Sequence, residues 1–287
     1  MNTFKSFPVK ALLFGILCWA QTAVAQIDYS DFITSGEHDA YYKPAVRERQ
    51  PVALPHLREA DVAYSHRVVR CIDARQKMNK ALEWPRQPLS RVLFTALWEG
   101  SLTPYKNDSL HCFYNTTDFH RRCGYEVQST VSDDPDDPDN SHDTLYWAYM
   151  EHNSIRKYWV LEDWIFDAKH SVFKPRIIAI APIFRPQFAN GIVGPEQPLC
   201  WIPMDDKLRN MMARTEMFNR YNQAARMNYD DFFQMRMFDS YIVFESNVFD
   251  NFIAHFEQFE NDPVAALLEG ERIRNDLFVF EHDLWQF

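Results

Sequence analysis

Glycine is scarce in this sequence, with 7 among 287 residues. Neither GxGxxG nor a GxxxxGKS or GxxxxGKT segment occurs, and these glycine-rich loops hold the phosphates in the commonest nucleotide-binding proteins. The HExxH pair of zinc proteases and the GxSxG elbow of α/β-hydrolases are missing from the sequence as well. The sequence therefore predicts no catalytic residues, no cofactor and no metal site.

A long apolar run is also missing. The apolar segment near the amino terminus, residues 11–20, follows two lysines and is shorter than the roughly 20 residues that a membrane-spanning helix needs. Small residues follow it up to Ala25 and Gln26, a pattern typical of a secretory signal peptide. We predict that residues 1–25 are a signal peptide cleaved between Ala25 and Gln26, and that the mature chain has no membrane span.

Positive charge is in deficit. The chain has 30 Lys and Arg against 40 Asp and Glu, a formal net charge of -10, and loss of the two signal-peptide lysines makes it -12. Proteins that bind nucleic acids neutralise phosphates with clustered Lys and Arg. The sequence therefore predicts a soluble, exported protein without a nucleic-acid partner.

Aromatic residues are abundant by contrast: 23 Phe, 13 Tyr and 8 Trp contribute to a hydrophobic content of 46%. A chain of this size and composition can bury a large core. Most aromatic side chains are expected in that core, and a minority are expected to anchor subunit contacts. Those singled out are Trp159, Trp164, Phe166, Trp201, Phe232, Phe238, Tyr241 and Phe249.

The residue pattern predicts an α+β fold with a helical amino-terminal part followed by a mixed sheet flanked by helices. Apolar residues at helical spacing predict helices over 58–79, from Ser90 to Gly100, and over 205–226, 228–236 and 264–281. Dense β-branched and aromatic residues predict strands over 144–150, 157–166, 176–181 and 199–203. The 176–181 strand is expected to be central and covered on both faces.

Two segments are expected to stay outside the core. Residues 26–57 carry prolines among charged residues without periodicity, which predicts an extended arm. Residues 131–143 read VSDDPDDPDNSHD and predict a solvated acidic loop. The rest of 58–287 is predicted to be a single domain.

A series of different short motifs extends along most of the chain. They are Arg58-Glu59-Ala60-Asp61-Val62, Ile72-Asp73, Lys77-Met78-Asn79, Trp98-Glu99-Gly100, Tyr105, Glu162-Asp163-Trp164-Ile165-Phe166-Asp167, Arg176-Ile177-Ile178-Ala179-Ile180-Ala181-Pro182, Trp201-Ile202-Pro203, Arg226-Met227-Asn228-Tyr229-Asp230-Asp231-Phe232-Phe233, Arg236-Met237-Phe238, Ser240-Tyr241-Ile242, Glu245-Ser246-Asn247-Val248 and Glu281-His282-Asp283-Leu284-Trp285. In this order they resemble the GldN/PorN family of gliding motility and type IX secretion proteins from Bacteroidota. The resemblance rests on the order of these motifs along the chain.

The resemblance implies a structural periplasmic component of the type IX secretion machinery rather than an enzyme. It implies rings formed with a GldK/PorK-like lipoprotein, which associates the chain with the outer membrane, and contact with a GldM/PorM-like inner-membrane protein. The alternatives are a secreted periplasmic hydrolase, which predicts a deep pocket with convergent titratable groups, and a ligand-binding module with an aromatic-lined groove. A ring subunit instead predicts two distinct exposed apolar patches.

Four cysteines remain after signal-peptide removal: Cys71, Cys112, Cys123 and Cys200. An even count permits two disulfides in an oxidising compartment. We favour a bond between Cys112 and Cys123, whose loop would stabilise the fold by roughly 3 kcal/mol in the chain-entropy model. Cys71 and Cys200 lie in apolar patterns, so they are either paired or buried as free thiols.

Two tripeptides, Asp108-Ser109-Leu110 and Asp143-Thr144-Leu145, match the short O-glycosylation sequon of Bacteroidota. Ser109 and Thr144 are therefore candidate glycosylation sites. Three-residue matches also arise by chance, which leaves plain loop residues as the alternative.

Overall fold

A six-stranded antiparallel sheet organises the residues that the computed structural model describes, which are 49–134, 137–188, 192–222 and 224–284. The strands of the described residues are β1 Val62–Asp73, β2 Gly124–Asp134, β3 Asp137–Tyr149, β4 Lys157–Asp167, β5 Val172–Phe184, β6 Gln197–Pro198, β7 Ile202–Pro203, β8 Glu216–Met217, β9 Met227–Asn228 and β10 Tyr241–Glu245. The sheet order is β10-β1-β4-β5-β6, and β7 also pairs with β5.

The α+β class is confirmed, but the expectation of a mixed sheet is wrong. Each strand pair within the described residues is antiparallel, so the sheet is not mixed. The expectation that 176–181 is an interior strand covered on both faces is confirmed, because β5 lies between β4 and the short β6 and β7, and Ala179, Ile180 and Ala181 are fully buried. Antiparallel neighbours can be joined by short connections, and β4 joins β5 directly.

The helix predicted over 58–79 is also wrong, because residues 62–73 form β1 and pair with both β4 and β10. The prediction rested on Tyr64, Val68, Cys71, Ile72 and Met78, of which Tyr64, Val68 and Ile72 are four positions apart. That spacing puts residues on one face of a helix, and an even spacing equally puts them on one face of a strand. The amino-terminal part of the domain is therefore built around a sheet strand.

The acidic segment 131–143 was expected to be a loop, but it continues a β-hairpin in which β2 pairs with β3. The pairing begins where Gly124 lies opposite Tyr149 and extends to Asp134 opposite Asp137. Cross-strand hydrogen bonding here overrides a composition that disfavours strands. Proline is tolerated because a two-stranded ribbon has an outer edge on each strand, where no backbone N–H is needed.

Five α-helices flank the strands in the described part of the chain. They are α1 Leu89–Trp98, α2 Thr116–Cys123, α3 Asp206–Arg214, α4 Tyr229–Gln234 and α5 Pro263–Asp283. Asp205 caps α3 by accepting a hydrogen bond from the Leu208 N–H. The helix ends at Arg214 rather than Arg226, because Thr215 is extended and β8 follows directly.

Buried residues cover both faces of the sheet. Directly opposite residues of an antiparallel pair share a face, so Ile72 and Tyr158 lie on the same side as Val68 and Glu162. Ile72 and Tyr158 belong to a core closed by α1 to α4, whereas Val68 belongs to a second core closed by α5. A third cluster, which includes Leu161, covers the other face. Glu162 therefore lies between two apolar cores.

Candidate assembly surfaces

The residues singled out from the sequence lie in separate places. Ser109 is exposed in a turn, and Thr144 lies on β3 with a side chain outside the described part. Cys112 is exposed, whereas Cys123 is buried at the end of α2, and both are free thiols in the structure. The signal-peptide cleavage site and the arm up to residue 48 lie outside the described residues. The cleavage, glycosylation and disulfide assignments stay predictions.

Two exposed arginines pair with carboxylates of the described residues. Asp61 accepts two hydrogen bonds from Arg58, and Asp163 accepts two from Arg67. Within the described part of the chain, no three His, Cys, Asp or Glu side chains are grouped so as to hold a metal ion. At Asp61 and Asp163 the fold therefore pairs each carboxylate with a counter-ion.

Glu162 on β4 is a fully buried charge with 0% of its side chain exposed. Arg236 donates to it twice, from Nη1 to Oε1 at 2.9 Å and from Nη2 to Oε2 at 3.1 Å. Arg70 on β1 adds an ion pair, with its Nε 3.4 Å from Oε2, and its Nη1 donates to Ser240 Oγ at 3.0 Å. Two guanidinium groups thus compensate a carboxylate whose isolated burial would cost several kcal/mol.

The backbone after α4 directs Arg236 towards Glu162. The helix ends in a Schellman motif, in which the Met237 N–H donates to the Phe232 carbonyl and the Arg236 N–H to the Phe233 carbonyl. The motif places Arg236 at a φ of 53°, a position where glycine is usual. Glycine would have no side chain to reach Glu162, which accounts for an arginine at a strained position.

Trp164 lies beside both guanidinium groups. Its ring centroid is 5.9 Å from Cζ of Arg70 and 5.7 Å from Cζ of Arg236, which is cation–π geometry. Burial lowers the pKa of Arg70, Glu162 opposes that shift, and Arg236 adds to it. We call Glu162, Arg70, Arg236 and Trp164 the Glu162 cluster. It joins β1, β4 and the end of α4 between the two cores.

Arginine contacts also fix the segment 49–55 on the domain. Arg209 of α3 is buried, pairs with Asp230 at 3.1 and 3.2 Å, and donates to the Val52 carbonyl at 2.6 Å. The other two contacts are Arg49 with Asp231 at 2.6 Å and Arg176 with the Pro55 carbonyl. The described end of the arm is thus attached to α3, α4 and β5.

One face of α5 packs within the domain. Its buried residues are Gly270, Ile273 and Leu277, and they face β10 and the second core. A Cβ built on Gly270 would be 2.5 Å from the carbonyl oxygen of Ile242, closer than side chains approach backbone atoms. Glycine therefore allows the helix backbone to lie directly on the strand.

The side of α5 away from β10 also carries exposed apolar residues. At 3.6 residues per turn, five apolar residues lie outside the face of Ile273 and Leu277, and they are between 46% and 66% exposed. They are Val264, Leu267, Leu268, Phe278 and Val279, and we call them the outer apolar face of α5. Polar residues, Glu271, Arg272 and Asn275, separate its two ends on the same side of the helix. Within the described residues, nothing covers this face.

A second exposed apolar patch lies on β3. Trp147 and Tyr149, on one face of the hairpin, are 44% and 48% exposed, and we call them the hairpin patch; Tyr146, 51% exposed, lies on the opposite face. Tyr149 packs edge-on against Trp98 of α1, with ring centroids 5.0 Å apart. It also lines a cavity with Phe184 at the end of β5. The hairpin patch therefore lies towards the β5 side of the sheet, whereas α5 packs on β10 at the other edge.

The aromatic residues singled out from the sequence differ in exposure, and Trp159, Trp164, Phe166 and Tyr241 are half-buried. Trp201, Phe232 and Phe238 are buried. Phe249, in the loop after β10, is 72% exposed next to Val248, which is 97% exposed. The chain therefore presents further apolar surface at a loop tip beside β10.

The amino-acid sequence matches one protein-family model, described as gliding motility associated protein GldN, over residues 57–286. The chain belongs to the GldN family. This family is a periplasmic, structural component of the gliding-motility and type IX secretion machinery. No curated protein matches the chain significantly. Among the described residues, none of the helices combines the length and the apolar character that crossing a bilayer requires.

The GldN match contains the Glu162 cluster, the outer apolar face of α5 and the hairpin patch, and sequence reasoning assigned a role to none of them. The outer face left a signal in the sequence, because the predicted helix 264–281 carries Leu268 and Val279 outside the apolar stripe of Ile273 and Leu277. The pairing of Glu162 with Arg236 left none, since 74 positions separate them along the chain.

Proposed function

We propose that this GldN-family protein is a ring-forming subunit that assembles with a GldK/PorK-like outer-membrane lipoprotein and contacts a GldM/PorM-like inner-membrane protein. The observation that carries the proposal is the outer apolar face of α5. Five exposed apolar side chains on a helix that is already packed on its other face are typical of a contact with another protein. Membership of a secretion-machinery family supports the same conclusion.

The positions of the two patches favour a head-to-tail contact. Identical subunits that join through two different surfaces make heterologous contacts, which close into a ring when the rotation between subunits permits. The hairpin patch and the outer apolar face of α5 are two such surfaces, and they lie towards opposite edges of the sheet. We propose that the hairpin patch of one subunit contacts the outer apolar face of the next.

The chemistry of the two patches suits this pairing. Burial of a Leu or Phe side chain contributes about 1.5–3 kcal/mol, and a few such anchors dominate the binding energy of an interface. The hairpin patch supplies a tyrosine and a tryptophan, which are enriched at such positions. Leu268 and Phe278, at 65% and 66% exposure, are the expected anchors on α5.

The test compares two pull-downs from the native envelope. One uses the tagged full-length wild-type chain, and the other uses the same chain with the double substitution Leu268→Asp and Phe278→Asp. We expect wild-type protein to be recovered with the lipoprotein in rings visible by electron microscopy, and the variant to be recovered without rings. Asn107→Asp with Gln258→Glu is the matched control, because both residues are exposed outside α5 and the hairpin patch and the pair adds the same two negative charges. Rings that persist in the double variant would contradict the proposal.

A further inference from the structure

Two cysteines lie in one buried core, and the proposed assembly uses neither. Cys123 is the last residue of α2, and Cys200 lies between β6 and β7. Each is 1% exposed, and both belong to the core that α1 to α4 close over the sheet. They come from segments that are distant in sequence, so only the tertiary fold places them in the same core.

Hydrogen bonds hold the two segments against each other. Arg122 donates from Nε to the Leu199 carbonyl and from Nη2 to the Pro198 carbonyl, both at 2.7 Å. The residue before Cys123 is thus bonded to the residue before Cys200. Burial raises the pKa of the Cys200 thiol, and the negative charge of an ionised Cys123 raises it further. The Cys200 thiol thus lies within electrostatic range of Cys123 in the same core.

The other two cysteines are in poorer positions to form a disulfide with Cys123 or Cys200. Cys112 is exposed, and its carbonyl accepts a hydrogen bond from the Lys106 N–H, which keeps it in the loop before α2. Cys71 is on β1 opposite Tyr241 of β10, and burial raises its pKa to about 11. Since β4 separates β1 from β5, Cys71 lies about 10 Å across the sheet from the β5 side, beyond the reach of a disulfide.

We propose that Cys123 and Cys200, in place of the Cys112–Cys123 pair favoured from the sequence, form a disulfide that joins the end of α2 to the β6–β7 segment. The two thiols lose two protons and two electrons as the sulfur–sulfur bond forms. A thiol–disulfide oxidoreductase in its disulfide form accepts the electrons and is released as a dithiol. The GldN family is periplasmic, and the periplasm is an oxidising compartment where such bonds persist.

Burial sets the time at which this bond forms. The pKa of the Cys123 thiol is raised to about 12, chiefly by burial, and nucleophilic attack requires the thiolate. Once the core has closed, both thiols are protonated and inaccessible to an oxidoreductase. Oxidation therefore occurs during folding, while α2 and the β6–β7 segment are still exposed.

The test maps the disulfides of wild-type protein isolated from its envelope after N-ethylmaleimide has trapped the free thiols under denaturing conditions. We expect digestion and mass spectrometry to show a peptide pair linked through Cys123 and Cys200, with Cys71 and Cys112 alkylated. The purified chain refolded with reduced and oxidised glutathione should give the same linkage. Alkylation of all four cysteines in the envelope sample, or a Cys112–Cys123 link, would overturn the proposal.

Variants measure what the bond contributes. Cys123→Ser and Cys200→Ser should each lower the Tm by about 5–15 °C, and the double variant should lower it no further. Reduced wild-type protein should have the same Tm as the single variants. Cys112→Ser is the matched control and should leave both the linkage and the Tm unchanged. Linkage mapping of the wild type decides the question even if a serine variant does not fold.

Discussion

The Glu162 cluster and the outer apolar face of α5 are opposites within one domain. In the cluster, charged groups lie where apolar residues are expected, between two cores. On α5, apolar residues lie where charged groups are expected, on the exposed side of a helix. The charges have partners supplied by the same chain, whereas the apolar face has none among the described residues. The comparison separates what the fold satisfies internally from what a second protein has to satisfy.

The largest expected effect is on the charged side of the comparison. Glu162→Gln leaves the buried Arg70 and the half-buried Arg236 without their counter-ion, and removing one partner of a buried ion pair typically destabilises by about 3–5 kcal/mol. We expect a loss of this size in the free energy of unfolding measured with urea. Asp163→Asn is the matched control, because Asp163 is the next residue on β4 and pairs with the exposed Arg67. Its loss should be below about 1 kcal/mol.

Substitutions of two leucines of α5 test whether its outer apolar face is free of contacts within the chain. Leu277→Ala on the buried face of α5 should destabilise the monomer by about 2–5 kcal/mol, because it removes core packing and leaves a cavity. Leu268→Ala on the outer apolar face should change monomer stability by less than about 0.5 kcal/mol. Urea denaturation of the two purified variants makes the comparison. Equal losses would show that the outer face is packed within the chain.

The smallest expected effect is at Gly270, and its sign is informative. Gly→Ala at an exposed helical position stabilises by about 0.5–1 kcal/mol through helix propensity. At Gly270 the added Cβ meets the Ile242 carbonyl, so we expect a destabilisation of about 1–3 kcal/mol instead. Thermal unfolding monitored by circular dichroism measures the change. A raised Tm would mean that α5 does not lie directly on β10.

Local sequence pattern predicted those elements whose form local interactions decide. The helix over 264–281 is α5, and the strands over 157–166 and 176–181 lie within β4 and β5. Aspartate at position 205 marked the start of α3 because its side chain caps the helix. Helix capping, proline placement and helical periodicity are properties of neighbouring residues, and they are readable without the fold.

Tertiary pairing decided the rest. The segment 62–73 becomes a strand because β4 and β10 pair with both its edges, and its apolar spacing fits a helix or a strand equally. The acidic hairpin depends on cross-strand pairing between residues that composition assigns to a loop. The Glu162 cluster joins three segments whose contact only the folded sheet creates. The family resemblance, by contrast, rested on ordered motifs and did not need the fold.

The arginine contacts at residues 49–55 also have a mechanical consequence. A pull on the chain ahead of residue 49 loads the contacts with Asp231, Arg209 and Arg176 before it reaches β1. These three contacts lie on α4, α3 and β5, so tension is divided among separate elements. Beyond them, β1 is hydrogen-bonded along both edges to β4 and β10. The amino-terminal side of the domain is thereby built as a tether that carries load into the middle of the sheet.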